Sequence, residues 1–392
     1  MKQLEIRREP SEVGLDGSRL ERVSEHLNNY VADERLSGWL VSVARGGELT
    51  WVGRGGYRDR ERALAVTDDT IWRLYSMTKP LTAVAAMMLY EEGRFDLNAP
   101  VGQWIEELRA PEVYVSGTPG ALKTHPASEP VRVHHLLSHT AGLTYGFQRR
   151  TVMDEIYREM GYDLTYSEHV TLERAVSDWC SVPLLFEPGS AWNYSVATDV
   201  LGRLIELWSG ETLDVFFRTR ILDPLKMDDT DWYCPEEKWD RLAQLYVADE
   251  GRSVLNEAIA KEATRWPMLL AGGGGLVSTA HDYQRFMTMM LRQGELDGVR
   301  LLSSRTVQLM TQNHLPDGAD LRHFARDSFS EVGHTGVGFG LGVSVIESQL
   351  RNKSLASVGT FAWGGAASTY FWVDPREELA VGLYTQLLPS WT

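Results

Sequence analysis

Cysteine is nearly absent: 392 residues carry two, Cys180 and Cys234. Two thiols make no disulfide framework, and they read as small buried residues of a reducing compartment. Long hydrophobic runs are absent as well. The longest, residues 81–90, falls far short of the roughly 20 apolar residues of a membrane-spanning helix, and residues 1–10 hold no apolar core of a secretory signal. Positive charge is in deficit. With 39 Lys and Arg against 54 Asp and Glu the formal net charge is −15, which argues against nucleic acid or an anionic membrane as partner. These absences predict a soluble, cytoplasmic protein whose partner is a small molecule.

Several catalytic signatures are missing too. No serine is flanked by glycine at both −2 and +2, so there is no nucleophile elbow of an α/β-hydrolase. His135 and His139 stand four apart beside His134, but without His-Glu-x-x-His or a cysteine pair they favour packing and turn roles over zinc. Gly272-Gly273-Gly274-Gly275 lacks the trailing Gly-Lys-Ser/Thr of a phosphate loop, and tight backbone packing is the expected reason for it. The acidic pairs Glu91-Glu92 and Glu106-Glu107 read as solvated helix faces, without specific support for glycosidase chemistry.

What is present is an ordinary globular composition, 43% apolar and 24% charged, in a chain long enough for two domains or one domain with a large insertion. Residues 17–33 have the period of an amphipathic helix, with Leu20, Val23, Leu27, Tyr30 and Val31 on one side. Residues 39–44 and 49–52 read as strands around Gly46-Gly47, a hairpin signal. A short strand at 70–74 leads into an apolar helix at 81–92. Residues 95–215 alternate helical patterns with long loops, among them a Gly/Pro/Ser/Thr-rich surface loop at 116–130. Helices are expected at 133–138, 196–207, 280–292 and 303–311, and strands at 339–346, 367–373 and 379–385. Strands first, helices in the middle and strands last predict an α/β (α+β) fold. Residues 1–80 and 265–392 would join in one antiparallel sheet flanked by helices, and 81–264 would form an inserted helical domain.

Ser76-Met77-Thr78-Lys79 lies at the junction of these parts, where ligand clefts are common. Serine and lysine three apart share one helix face. This is the only Ser-x-x-Lys in a chain that carries most of its positive charge on arginine. Proline is tolerated only in a first helical turn, so Pro80 starts the helix near Ser76 and puts the hydroxyl where free N–H groups and the positive dipole end collect. Residues 81–89 are apolar nearly all round, as in a buried helix. Lysine at its mouth is desolvated toward a pKa at which it exchanges protons. Ser-x-x-Lys is the arrangement by which penicillin-recognising enzymes attack acyl groups. Further along, Glu187-Pro188-Gly189-Ser190 delivers Tyr194 just ahead of another apolar helix. By itself that is a buried tyrosine in need of a partner.

Taken together, Tyr75-Ser76-Met77-Thr78-Lys79-Pro80, His135-Leu136-Leu137-Ser138-His139-Thr140-Ala141-Gly142-Leu143, Phe186-Glu187-Pro188-Gly189 with Tyr194-Ser195, Ile221-Leu222-Asp223-Pro224-Leu225-Lys226-Met227, Gly272–Gly275 with Leu276-Val277-Ser278-Thr279, and Trp363-Gly364-Gly365 with Asp374-Pro375 resemble the serine β-lactamase superfamily. They run in that family's order over nearly the whole chain, and the nearest branch is the family VIII carboxylesterases, relatives of class C β-lactamases. The resemblance implies a β-lactamase/transpeptidase-like fold. It implies Ser76 as nucleophile, Lys79 as its partner and Tyr194 as general base. It implies an oxyanion hole from the backbone N–H groups of Ser76 and Ala366, substrate contacts at Trp363, Gly364 and Gly365, and no metal or organic cofactor.

Three departures shape the expected substrate. Val196 stands where β-lactamases place the asparagine of Tyr-x-Asn, so the amide that would bind a lactam's acylamide is missing. Trp363-Gly364-Gly365 replaces Lys-Thr-Gly, so an aromatic wall stands where a lysine would meet a substrate carboxylate. Family members also commonly add a terminal helix where this chain has Trp391-Thr392, which leaves the N-terminal helix to cover that sheet face alone or the chain truncated. The first two favour short-chain neutral esters over anionic lactams. The expected activity is that of a serine carboxylesterase. A β-lactamase or D-amino-acid peptidase, an acyltransferase using the same acyl-enzyme, and a non-catalytic ligand-binding relative are the rivals.

Overall fold

Gly46 and Gly47, at φ 61° and 78°, turn the chain between β1 (Gly38–Arg45) and β2 (Glu48–Asp59). Left-handed backbone at both central positions matches the right-handed twist of the strands it joins. The computed structural model describes residues 4–164, 169–326 and 332–390. Before this hairpin comes α1 (Gly17–Ala32), started by Asp16, whose carboxylate accepts the Ser18 and Arg19 N–H groups at 2.9 and 3.4 Å. After it come β3 (Leu64–Ala65) and β4 (Ile71–Arg73), then α2 (Lys79–Glu91).

The middle of the chain holds β5 (Glu112–Thr118), β6 (Ala121–Pro126), α3 (Val133–Leu137), α4 (Val152–Glu159), α5 (Leu172–Ser181), α6 (Ala197–Ser209), α7 (Leu213–Phe217), β7 (Tyr246–Asp249), β8 (Arg252–Leu255) and α8 (Glu257–Ala260). The last third holds β9 (Val277–Thr279), α9 (Ala280–Leu291), the small hairpin β10 (Glu295–Leu296) and β11 (Val299–Arg300), and α10 (Ser304–Met310). It ends with β12 (Val337–Phe339), β13 (Ser344–Ile346), β14 (Phe361–Gly365), β15 (Thr369–Asp374), β16 (Leu379–Tyr384) and β17 (Leu387–Leu388).

One eight-stranded sheet runs in the order β12-β13-β14-β15-β16-β1-β2-β3. Its β1 pairs antiparallel with β16, Leu40 facing Tyr384 and Arg45 facing Leu379, so the two ends of the chain close a single sheet. Because β1 is central, both of its faces are covered. Trp39, Val41 and Val43 pack with Leu20, Val23, Leu27 and Val31 of α1. On the other face Ser42 donates to the Gln284 amide oxygen of α9 at 2.9 Å, and Leu40 and Ala44 join the main core.

The expected strand at 339–346 is two strands. Gly342, at φ 89°, bends the chain where a Cβ would stand 2.4 Å from the Ala83 methyl, so this bend lets α2 pack close. Residues 361–365 also form a strand, β14, which an expectation of Trp-Gly-Gly only as a motif did not include. The Gly- and Pro-rich stretch expected as a loop at 116–130 is largely the hairpin β5–β6, turned at Pro119-Gly120 with Gly120 at φ 80°. Proline then glycine at the two central positions suits a type II turn. The stretch between α2 and the last third is therefore not helical alone: β7 and β8 pair with each other, and β17 adds to β7 in parallel. The strand ahead of Ser76 pairs with β9 rather than with the large sheet. Trp391 and Thr392 lie outside the described residues.

Arg73 ties these parts together from a buried position. Its guanidinium donates to the carbonyls of Ala243 at 2.5 Å and of Ala260, and its backbone exchanges hydrogen bonds with the Gln386 side chain, both at 3.1 Å. Among the described residues no helix is long and apolar enough to cross a membrane.

Trp39 is fully buried between α1 and the sheet, with its indole N–H on Asn28 Oδ1 at 3.1 Å. Trp39→Ala is expected to cost about 3–5 kcal/mol. Guanidinium unfolding should show this as a lower midpoint with an unchanged slope.

Candidate active site

Ser76 sits in a single 3-10 turn, Tyr75–Thr78, that runs straight into α2. Pro80 occupies the first turn of α2, where its missing N–H costs no helical bond. Tyr75 adopts φ 45°, a left-handed conformation unusual for a bulky residue. The turn is held from several directions. Leu74 donates its N–H to the Leu276 carbonyl at 2.9 Å, and Thr78 Oγ accepts the Leu276 N–H at 3.1 Å. The Tyr283 hydroxyl of α9 donates to the Met77 carbonyl at 2.9 Å. A side chain clamped this way loses little freedom on meeting a reactant.

Lys79 is 1% exposed, at the start of a helix that is buried through Leu89. Its Nζ lies 3.3 Å from Ser76 Oγ and donates to the Gly273 carbonyl at 2.5 Å. It also stands over two aromatic faces, 4.5 Å from the Tyr194 ring centre and 5.3 Å from that of Tyr145. Carbonyl oxygen and ring faces are what a dehydrated ammonium can use in place of water. Tyr194 is 1% exposed, and its ring is walled by His139, Tyr145 and Trp363 at 5.0, 5.3 and 5.4 Å. Its backbone carbonyl accepts from the Gln148 amide at 2.5 Å. Ser76 from one turn away and Tyr194 from more than 100 residues away thus meet at the Lys79 Nζ.

Ala366 opens the turn after β14. A Cβ on Gly365 would come within 2.2 Å of the Leu74 carbonyl and 2.3 Å of Thr369 Oγ, so only glycine lets β14 approach the serine turn this closely. Ala366 then packs in one cluster with Tyr75. Among the described residues neither the Ser76 nor the Ala366 N–H is used in a backbone hydrogen bond. Gly364 and Gly365 are buried in β14, paired with Tyr370 and Thr369.

Trp363 requires a correction. It is 0% exposed and packs against Tyr194 and Phe339, at 5.4 and 5.2 Å between ring centres. Alternation along β14 turns its indole into the core, so it stands behind Tyr194 as a buttress and not as a wall open to substrate. Val196 is buried at the start of α6 and presents no amide. His139 is buried among Trp192, Tyr194 and Phe339, with Nδ1 facing Ser195 Oγ at 3.2 Å. Burial, with Lys79 nearby, holds its pKa well below the usual value, while burial depresses those of His134 and His135 to about 4 and about 3. Among the described residues no group of His, Cys, Asp and Glu is placed to hold a metal.

The glycine run does pack tightly. A Cβ would stand 3.0 Å from the Thr198 carbonyl at Gly272, 2.4 Å from Asp199 Oδ2 at Gly273 and 2.6 Å from the Trp232 ring at Gly275. It also does something that sequence reasoning missed, because the Gly273 carbonyl is the acceptor for Lys79. Asp199 and Tyr145 were missed as well. Asp199 is third in α6, where acidic residues are favoured by the helix alone. The one available signal was a charged residue inside an otherwise apolar run.

The family described as Beta-lactamase matches residues 23–391. An uncharacterized protein of Mycobacterium tuberculosis is 34% identical over 362 residues, covering 91% of this chain and 87% of that protein. Esterase EstB of Burkholderia gladioli is 28% identical over 397 residues, covering 96% of this chain and 93% of the esterase. Among solved structures, EstCE1, a hydrolase with promiscuous acyltransferase activity, superimposes with a TM-score of 0.78 at 27% identity, covering 97% of this chain and 94% of the other. Simvastatin synthase of Aspergillus terreus shares the fold with the same TM-score at 22% identity, over 96% and 94% of the two chains.

Gly365→Ala should displace the Ala366 turn while leaving Ser76 and Lys79 in place. Covalent labelling of Ser76 by a fluorophosphonate is expected to slow about 100-fold. Circular dichroism on the same sample should show that the variant remains folded.

Proposed function

The chain belongs to the beta-lactamase family and is a serine hydrolase or acyltransferase of it; on that footing we propose that it is a carboxylesterase cleaving short-chain, neutral carboxylic esters through an acyl-enzyme on Ser76. The observation that carries this reading is the buried Lys79 amine, held between the Ser76 hydroxyl and the Tyr194 ring.

Ser76 Oγ attacks the ester carbonyl while Tyr194 as tyrosinate, or Lys79 as the neutral amine, takes its proton. A tyrosinate beside a fixed ammonium is a base that needs no solvent counter-ion. The oxyanion of the tetrahedral intermediate takes up hydrogen bonds from the Ser76 and Ala366 N–H groups, each worth about 2.7–4 kcal/mol in sites of this type. Collapse expels the alcohol, which recovers the proton. Water then attacks the acyl-enzyme by the same route and releases the acid. Nothing in this sequence of steps requires a metal or an organic cofactor.

The preference for neutral esters rests on Val196 and Trp363. Val196 offers no side-chain hydrogen bond to an acylamide. Trp363, buried behind Tyr194, supplies no cation to the site, so a substrate carboxylate would find no charged partner from this position. An acyltransferase reading has specific support as well: EstCE1 combines hydrolysis with promiscuous acyl transfer, and an alcohol can replace water in the second half of the same cycle.

Ser76→Ala is expected to abolish p-nitrophenol release from the butyrate ester, and Tyr194→Phe to lower kcat about 10²–10⁴-fold. Nitrocefin turnover exceeding ester turnover would reverse the substrate assignment. Product analysis with added butanol separates hydrolysis from transfer.

A further inference from the structure

The chemistry above gives no task to a buried carboxyl group that adjoins the Lys79 contact. Asp199 is 1% exposed. Its Oδ1 accepts the Gly273 N–H at 2.8 Å, and its Oδ2 lies 3.5 Å from the Tyr145 hydroxyl. A Cβ on residue 273 would intrude to 2.4 Å from Oδ2, so glycine is present where the carboxylate fills the space. The same glycine gives its carbonyl to Lys79 at 2.5 Å. Residue 273 is therefore gripped at its N–H by an anion and at its C=O by a cation. Burial raises the Asp199 carboxyl above the usual carboxylate range, and Lys79 and the Gly273 N–H oppose that rise without cancelling it.

We propose that Asp199 is a positioning residue that fixes Lys79 against Ser76 and Tyr194 through Gly273 and sets the pH range over which Ser76 is acylated. This rests on the acyl-enzyme reading of the preceding section. A fixed negative charge disfavours loss of a proton from Lys79 and from Tyr194 alike. Removing it lowers both ionisations whichever of the two takes the serine proton. The titratable groups facing the pair are Ser76 and Lys79 from the serine turn and α2, His139 and Tyr145 from the segment after α3, Tyr194 from the approach to α6, and Tyr283 from α9. Burial keeps His139 neutral and holds Tyr283 well above its usual value, so neither changes charge across the working range.

The test is the pH dependence of kcat/KM for p-nitrophenyl butyrate in the wild type, D199N and G273A, with a melting temperature for each. D199N keeps the shape and an acceptor for the Gly273 N–H but loses the charge. Both limbs of its profile should move to lower pH by about one unit, with kcat down about tenfold and KM within about twofold. G273A keeps the charge and dislodges the contact, so kcat should fall about tenfold with the limbs in place. A folded D199N whose limbs coincide with the wild type overturns the proposal. Should D199N fail to fold, wild-type kcat in folded G273A overturns it. Ser76→Ala separates the two levels: an inactive S76A beside an unshifted D199N removes the role of Asp199 alone, whereas an active S76A removes the acyl-enzyme reading with it.

Discussion

A lysine ammonium taken out of water is the constraint around which this molecule is arranged. Lys79 has lost its hydration shell, and a charge in that position persists only where other groups replace the water. Here they are a peptide carbonyl, two aromatic faces and a serine hydroxyl. Each replacement dictates something else. The carbonyl requires residues 272–275 to lie against α2 and α6 without side chains. The aromatic faces require Tyr145 and Tyr194 to arrive from two separate loops. The hydroxyl requires the serine to lie one turn back along the same helix. The apolar helix, the glycine run and the buried tyrosines are thus parts of one solution to one solvation problem.

The same dryness serves the proposed reaction. The rings of Trp192, Tyr194, Phe339 and Trp363 surround the site and lower its effective dielectric, which strengthens any interaction with a developing oxyanion. In the proposed function, the preference for ester over lactam arises by subtraction. Val196 and Trp363 offer neither an amide nor a cation to an anionic substrate, while Ser76, Lys79 and Tyr194, the groups proposed to handle the carbonyl, stand together.

How far the site could be read ahead of the fold depended on which atoms do the work. Ser76 and Lys79 were legible because they are side chains at fixed helical spacing, with Pro80 marking the helix start. α1, the β1–β2 hairpin and α9 were legible for the same local reason, through Asp16, Gly46-Gly47 and the pattern of residues 280–292. The Gly273 carbonyl, like every backbone group, has no letter of its own in the sequence. The direction of the Trp363 side chain follows from the register of β14, and register is set by neighbours outside the motif. The partner of β4 lies in β9, across the whole middle of the chain. The hairpin β5–β6 was hidden by its composition, since a turn and a loop use the same residues.

The pairing of Leu40 with Tyr384 has a meaning for biosynthesis. The hairpin β1–β2 is made early, but the strand that covers the open edge of β1 arrives more than about 300 residues later. At roughly 5–20 residues per second the edge waits on the order of 15–70 seconds. An uncovered edge of Val, Leu and Trp is a template for pairing with another chain. The nascent protein therefore passes through a long interval in which its central strand presents an open edge, and that interval closes only when β16 is translated.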